Sequence, residues 1–263
     1  IIQADASTLV ALGDVSSAGF VLAMIGLVLI GIMWHFHVRG AILWGILATW
    51  ILGIFAQLTG WYQVTDTSAS LIPSFSQILP PSLAPTFFKF DFGYAVQNFT
   101  GFLVIVFAFL FVDLFDTVGT LIGVADQANL LDKDGKLPKI KGALLSDAVG
   151  TTVGAMCGTS TVTTFVESAS GVAEGGRTGL TSLVAGVLFA LSLLLSPIFL
   201  AIPSFATAPA LIVVGYLMLT SVTKIDFNDM TEAIPCFIAI IAMPFMYSIS
   251  EGISMGVISY VAI

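Results

Sequence analysis

The chain has 263 residues, 57% of them hydrophobic and only 9% charged, with a formal net charge of -8 at neutral pH. About a quarter of the residues of a soluble domain are charged, so this composition, with a mean hydropathy of +1.05, excludes an ordinary soluble fold and points to an all-α polytopic membrane protein. The acidic balance argues against nucleic acid as a partner, and 21 Phe with 25 Gly suit helices packed within lipid.

A bilayer core of about 30 Å takes roughly 20 apolar residues per helix. In chain order, runs of this kind predict spans over 18–34, 41–58, 94–125, 143–157, 180–202, 209–222 and 234–249, with a further one from 252. The chain opens on Ile1 without a Met and ends within the apolar run Tyr260-Val261-Ala262-Ile263, so we expect a piece of a longer protein. Cys157 and Cys236 fall in apolar runs and read as small hydrophobes with no disulfide implied. If each span and the segment 158–171 cross once, Arg39, Lys133, Lys136, Lys139, Lys141, Arg177 and Lys224 share one side, with Lys89 opposite. By the positive-inside tendency that side is cytoplasmic. The connection 60–93, with Pro73, Pro80, Pro81 and Pro85, is then extracytoplasmic, a cover or linker.

Two acids stand out within the 94–125 run, Asp113 and Asp116. A carboxylate at membrane depth costs about 3 kcal/mol on insertion scales, so such residues usually line a pathway or site. Their spacing of three puts both on one helix face. Asp147, in the next span, either hydrogen-bonds a neighbouring helix or takes part in proton coupling. His35 and His37 flank a helix end beside Arg39 and suit interfacial anchoring better than metal binding. Glu174-Gly175-Gly176-Arg177-Thr178-Gly179 lacks the Lys and the strand-to-helix context of a phosphate loop and reads as a cytoplasmic turn. Nothing in the sequence calls for a cofactor or a metal.

The segment 158–171 is different in kind. Its first half, with Thr159, Thr161, Val162, Thr163 and Thr164, is β-branched and hydroxyl-rich and predicts a short strand. Thr164 and Glu167 have the spacing of a capping box, so a half-helix is expected to start near Thr164 with Glu167 in its first turn. Broken helices at membrane depth occur where freed backbone groups face protein or a cavity, and transporters build binding sites from them. Carboxylates and free main-chain groups suit a small, flat, polar, neutral molecule, with Phe165 available to stack on its face. One of the acids Asp113, Asp116, Glu167 or Asp147 could carry a coupling proton, because burial disfavours the charged form of a carboxyl.

Several motifs together carry a family resemblance: Thr8-Leu9-Val10-Ala11-Leu12-Gly13-Asp14, Phe115-Asp116-Thr117-Val118-Gly119-Thr120, Thr159-Ser160-Thr161-Val162-Thr163-Thr164-Phe165-Val166-Glu167-Ser168, Glu174-Gly175-Gly176-Arg177-Thr178-Gly179, Ala206-Thr207-Ala208-Pro209-Ala210 and Glu232-Ala233-Ile234-Pro235. The chain resembles, nearly end to end, the AzgA-like purine permeases, a branch of the nucleobase/cation symporters with the uracil-permease fold. That fold implies fourteen segments in two inverted repeats of seven, with a short strand in segments three and ten. Residues 1–59 would be gate helices of the first repeat (segments six and seven) and 94–202 the core of the second (segments eight to eleven). Residues 203–263 would form its gate (segments twelve to fourteen), and the first-repeat core lies outside the chain. The resemblance implies a transporter rather than an enzyme, importing hypoxanthine, guanine or adenine with a proton across the plasma membrane, a bacterial inner membrane. It places Asp116 and Glu167 on the base, with Asp113, Phe165 and Thr161 beside them, and its uracil-permease relatives suggest a homodimer in the lipid bilayer.

Two other readings fit less well. An intramembrane aspartyl protease also uses two aspartates, but its acids converge from separate helices, whereas Asp113 and Asp116 share one turn. An inorganic-anion carrier of the same fold would set carboxylates against its own cargo.

Overall fold

The computed structural model describes residues 2–5, 9–64, 70–75 and 82–263. Thr8, at the start of the first family-like motif, and Pro80 and Pro81 of the proline-rich connection lie outside the described residues. Two four-residue strands, β1 (Ile2–Asp5) and β2 (Leu9–Leu12), pair into a ribbon, and the remaining described elements are helical. In chain order the helices are α1 (Ala18–His35), α2 (Ala41–Leu58), α3 (Gly93–Gln97), α4 (Phe99–Gln127), α5 (Ile140–Cys157), α6 (Ser168–Ala173), α7 (Gly179–Ser192), α8 (Ser196–Leu200), α9 (Ser204–Leu219), α10 (Met230–Phe245) and α11 (Ile249–Ala262). Ala18–His35, Ala41–Leu58, Phe99–Gln127 and the stretch Ser204–Lys224 are each long and apolar enough to cross a membrane, so the fold is that of an all-α polytopic membrane protein.

The helices group into two compact units. The first takes its described residues from Ala11–Pro81 and Glu167–Leu219, and packs α1, α2 and α9 against one another. Small residues make that packing close, as expected where lipid supplies no hydrophobic drive between helices. A Cβ on Gly45 of α2 would meet the buried Ile30 of α1, and one on Gly26 of α1 would meet Thr49 and, at 3.1 Å, Pro209 Cγ of α9. The connection after α2 is tied back onto it. Trp50 Nε1 donates to the Leu71 carbonyl at 3.0 Å and the Leu71 amide donates to Gln57 Oε1 at 2.8 Å, which seats the Leu71 side chain in a core with Trp50, Ala201 and Ala206. The Gly40 amide, at the left-handed residue that opens α2, donates to Glu174 Oε1 at 2.9 Å, so the Arg39 turn and the 174–179 turn stand together.

The expected span 180–202 is interrupted. Pro197 has no amide for the Leu193 carbonyl and its ring would clash there, so α7 ends and α8 restarts with the proline in its first turn.

The second unit takes Ser82–Val166 and Thr220–Ile263, in which α10 packs along α11 and α4 touches α3, α5 and α11. Asn98 breaks the 94–125 run, and its side chain then caps α4 by accepting from the Gly101 amide at 3.1 Å. The 234–249 run breaks at Tyr247, which has φ 52, and Ser248 caps α11. Lys224 forms an ion pair with Asp126 at the end of α4.

Candidate functional site

Within the second unit the acids of α4 meet α5 and the stretch that follows α5. Gly158 ends α5 at φ 86, where a Cβ would also strike Thr86, so the chain turns sharply into residues 159–166. No strand ladder forms there among the described residues, contrary to the β-branched composition. Instead the Thr151 hydroxyl of α5 takes the place of a neighbouring strand for Val162, accepting from its amide at 3.2 Å and donating to its carbonyl at 3.0 Å. One side chain thus satisfies both main-chain groups of a residue that no helix serves.

The next residue faces α4. Thr163 Oγ1 donates to Asp116 Oδ2 at 3.1 Å and lies 3.2 Å from Thr117 Oγ1, which donates to Asp147 Oδ2 of α5 at 3.2 Å. Asp116, Asp147 and Thr163 are half-buried, and Thr117 is 1% exposed. Asp147 therefore makes the inter-helix hydrogen bond that its position suggested. Asp113 lies one turn before Thr117, within electrostatic reach of Asp147 and Asp116, and its Oδ1 is buried without a hydrogen-bond partner among the described residues. An unpaired buried carboxylate oxygen is costly.

The remaining predicted residues stand differently. Thr161 and Phe165 are exposed. Glu167 is exposed too and belongs with the first unit. The capping box does not form: α6 starts at Ser168, Glu167 is its N-cap residue in helical geometry, and the carboxylate caps nothing. The bonds on Val162 and Thr163 hold the chain out of helix past Thr164, which moves the helix start four residues on. Thr117, Thr151 and Thr163 were not picked out individually from sequence. The signal was there for one of them, since Asp113, Thr117 and Thr120 follow the four-then-three spacing of a single helix face, and both threonines are buried.

Comparison with known proteins identifies the family. Residues 1–255 match the permease family Xan_ur_permease. The chain is 48% identical over 260 residues to a permease of Methanocaldococcus jannaschii, covering 99% of this chain and 57% of that protein. It is 44% identical over 264 residues to the guanine/hypoxanthine permease PbuO of Bacillus subtilis, covering 99% and 58%. It is 40% identical over 264 residues to the adenine permease AdeQ of Escherichia coli, covering 99% and 55%. The chain spans a little over half the length of these curated relatives. By the extent of the match, over helices fit to cross a bilayer, the chain is a multi-pass membrane protein that belongs to the Xan_ur_permease family.

Proposed function

We propose that the protein containing this chain imports a purine nucleobase, hypoxanthine, guanine or adenine, by proton symport. The observation that carries the reading is the identity, maintained over 99% of the chain, to permeases named for guanine/hypoxanthine and for adenine. The site chemistry supports it. A purine offers ring N–H and exocyclic amino donors along one edge, and carboxylates are the strongest neutral-ligand acceptors available to a protein. Following the resemblance, Asp116 and Glu167 accept from that edge, Phe165 covers the ring face, and Asp113 and Thr161 complete the polar lining. The coupling proton resides on the acid set Asp113, Asp116, Glu167 and Asp147. An anion carrier is disfavoured by the same carboxylates.

The test is uptake of radiolabelled adenine, guanine and hypoxanthine by the complete protein in a host lacking its own purine carriers, with and without a protonophore. Saturable uptake of at least one base, abolished by the protonophore, is expected. Uptake that needs sodium and survives collapse of the proton gradient would refute the symport reading, and no purine uptake at all would refute the substrate class.

A further inference from the structure

Asp116 Oδ2, Thr163 Oγ1, Thr117 Oγ1 and Asp147 Oδ2 form an unbroken line across α4, the non-helical stretch and α5, with links of 3.1, 3.2 and 3.2 Å. Each link needs one hydrogen. Each threonine hydroxyl has one hydrogen to give, and an ionised carboxylate has none. Three links therefore face two hydrogens. With both acids ionised, Thr163 donates to Asp116, Thr117 donates to Asp147, and the two hydroxyl oxygens meet with nothing between them.

One added proton closes the line. On Asp147, its O–H donates to Thr117, Thr117 to Thr163 and Thr163 to Asp116. On Asp116, all three bonds point the other way. To pass between the two states, each hydroxyl receives one proton and hands on its own. The net change is one proton moved from Asp147 to Asp116, with every oxygen keeping its valence and no charge left on a threonine.

We propose that Asp116 and Asp147 share a single exchangeable proton and that the Thr117 and Thr163 hydroxyls conduct it between α4 and α5. The surroundings suit one proton for two acids. Asp113 adds a third carboxyl on α4, with Asp147 and Asp116 as its charged neighbours. Residues 159–166 carry no titratable group. Of the helices packed on α4, α3 offers only Tyr94 and α11 offers Glu251 and Tyr260, all exposed. On α5 the other charged residue is the exposed Lys141. The ion pair formed by the described cations is that of Lys224 with Asp126. Two carboxylates without a countercharge repel one another, and a shared proton relieves that repulsion.

The inference rests on proton symport for its transport assay and on hydrogen-bond geometry for its spectroscopic one. The complete protein in proteoliposomes is measured for nucleobase exchange at equal pH on both sides and for accumulation driven by an imposed pH gradient. Thr117→Val and Thr163→Val should lose accumulation by about tenfold or more while exchange falls far less, and Thr117→Ser and Thr163→Ser should restore accumulation. Equal losses of exchange and accumulation, unaffected accumulation, or failure of the serine variants to rescue would each overturn it. If the wild type accumulates nothing, the symport reading has failed, and infrared spectroscopy decides the sharing alone. The protonated-carboxyl band of the wild type should shift in Thr117→Val, whereas a band unmoved by either valine, or no such band, shows that no proton is shared.

Discussion

Replacing Gly45 by alanine should loosen the contact between α1 and α2. The new methyl would overlap Ile30 Cγ1 and sit 2.9 Å from Ile30 Cδ1. Ile30 is 0% exposed and β-branched, so its side chain is held to few rotamers and the clashing atom lies next to its backbone. Thr49, one turn further along α2, is also 0% exposed and donates to the Gly45 carbonyl at 2.7 Å, which blocks relief on that side. Overpacking a filled core costs about 1–3 kcal/mol, and so close a contact with a stiff neighbour belongs at the upper end. Alanine returns about 1 kcal/mol through helix propensity, leaving a net loss of about 2 kcal/mol. Spread over the unfolding entropy of a protein of several hundred residues, that lowers the melting temperature by roughly 2–4 °C, readable by thermal shift of the purified complete protein. Gly31→Ala on α1 is the control, because nothing lies within 4 Å of its Cβ position and only the propensity gain should remain. In a double-mutant cycle with Ile30→Ala, the pair should cost less than the sum, since the cavity takes up the methyl. A Gly45→Ala protein that melts at or above the wild type, or strict additivity with Ile30→Ala, would refute the reasoning.

Further expectations concern the site, the helix caps and the topology. Glu167→Gln and Asp116→Asn should each reduce purine uptake about tenfold to a hundredfold, the worth of a charge-assisted hydrogen bond of about 1.5–3 kcal/mol, at unchanged membrane levels; near-normal uptake by either removes that residue from the site. Asp229 caps α10 by accepting from the Thr231 hydroxyl at 2.7 Å and amide at 2.9 Å, and these two bonds, the hydroxyl first, hold its carboxyl below the ordinary value of 3.8. With the folded value depressed, the cap is fully present above 3.8 and is lost as the pH falls through the folded value, so the slowing of amide exchange in the first turn of α10, measured relative to Asp229→Ala at the same pH, should be full above 3.8 and vanish in that acid window. In a background with Cys157 and Cys236 replaced by serine, Lys136→Cys should react with an impermeant maleimide from the cytoplasmic side and Lys89→Cys from the outside. The reverse pattern would overturn the orientation read from the basic residues.

Helix positions were legible where hydrophobic length was the deciding physics. The spans 18–34 and 41–58 match α1 and α2 to within one residue. Interruptions inside apolar runs were harder to read, because hydropathy does not register main-chain geometry. Pro197 breaks one run, Asn98 another and Tyr247 a third. The last break carried a readable signal. Ser248 and Glu251 have the capping-box spacing, and Ser248 Oγ does accept from the Glu251 amide at 3.3 Å. The same spacing at Thr164 and Glu167 gives no cap. A capping box forms only where the preceding chain is free to enter the helix, and Val162 and Thr163 are pinned by α5 and α4.

That pinning also explains why the acids were easier to find than their partners. A carboxylate in an apolar run is costly enough to be noticed alone, whereas a threonine is at home in a membrane helix and becomes informative only when its neighbour across the fold is known. Thr151 serves the backbone of residue 162, Thr163 reaches Asp116, and Thr117 reaches Asp147. The hydroxyls that satisfy the non-helical stretch are therefore continuous with those that join the two acids. Residues 159–166 cannot shift against α4 without breaking the Thr163 bonds, nor against α5 without breaking the two bonds that hold the Val162 main chain to Thr151. A proton entering between Asp116 and Asp147 completes the line and strengthens its hold on the stretch; a proton leaving weakens it. Under the proposed sharing of one proton, its occupancy and the position of the stretch are thermodynamically linked.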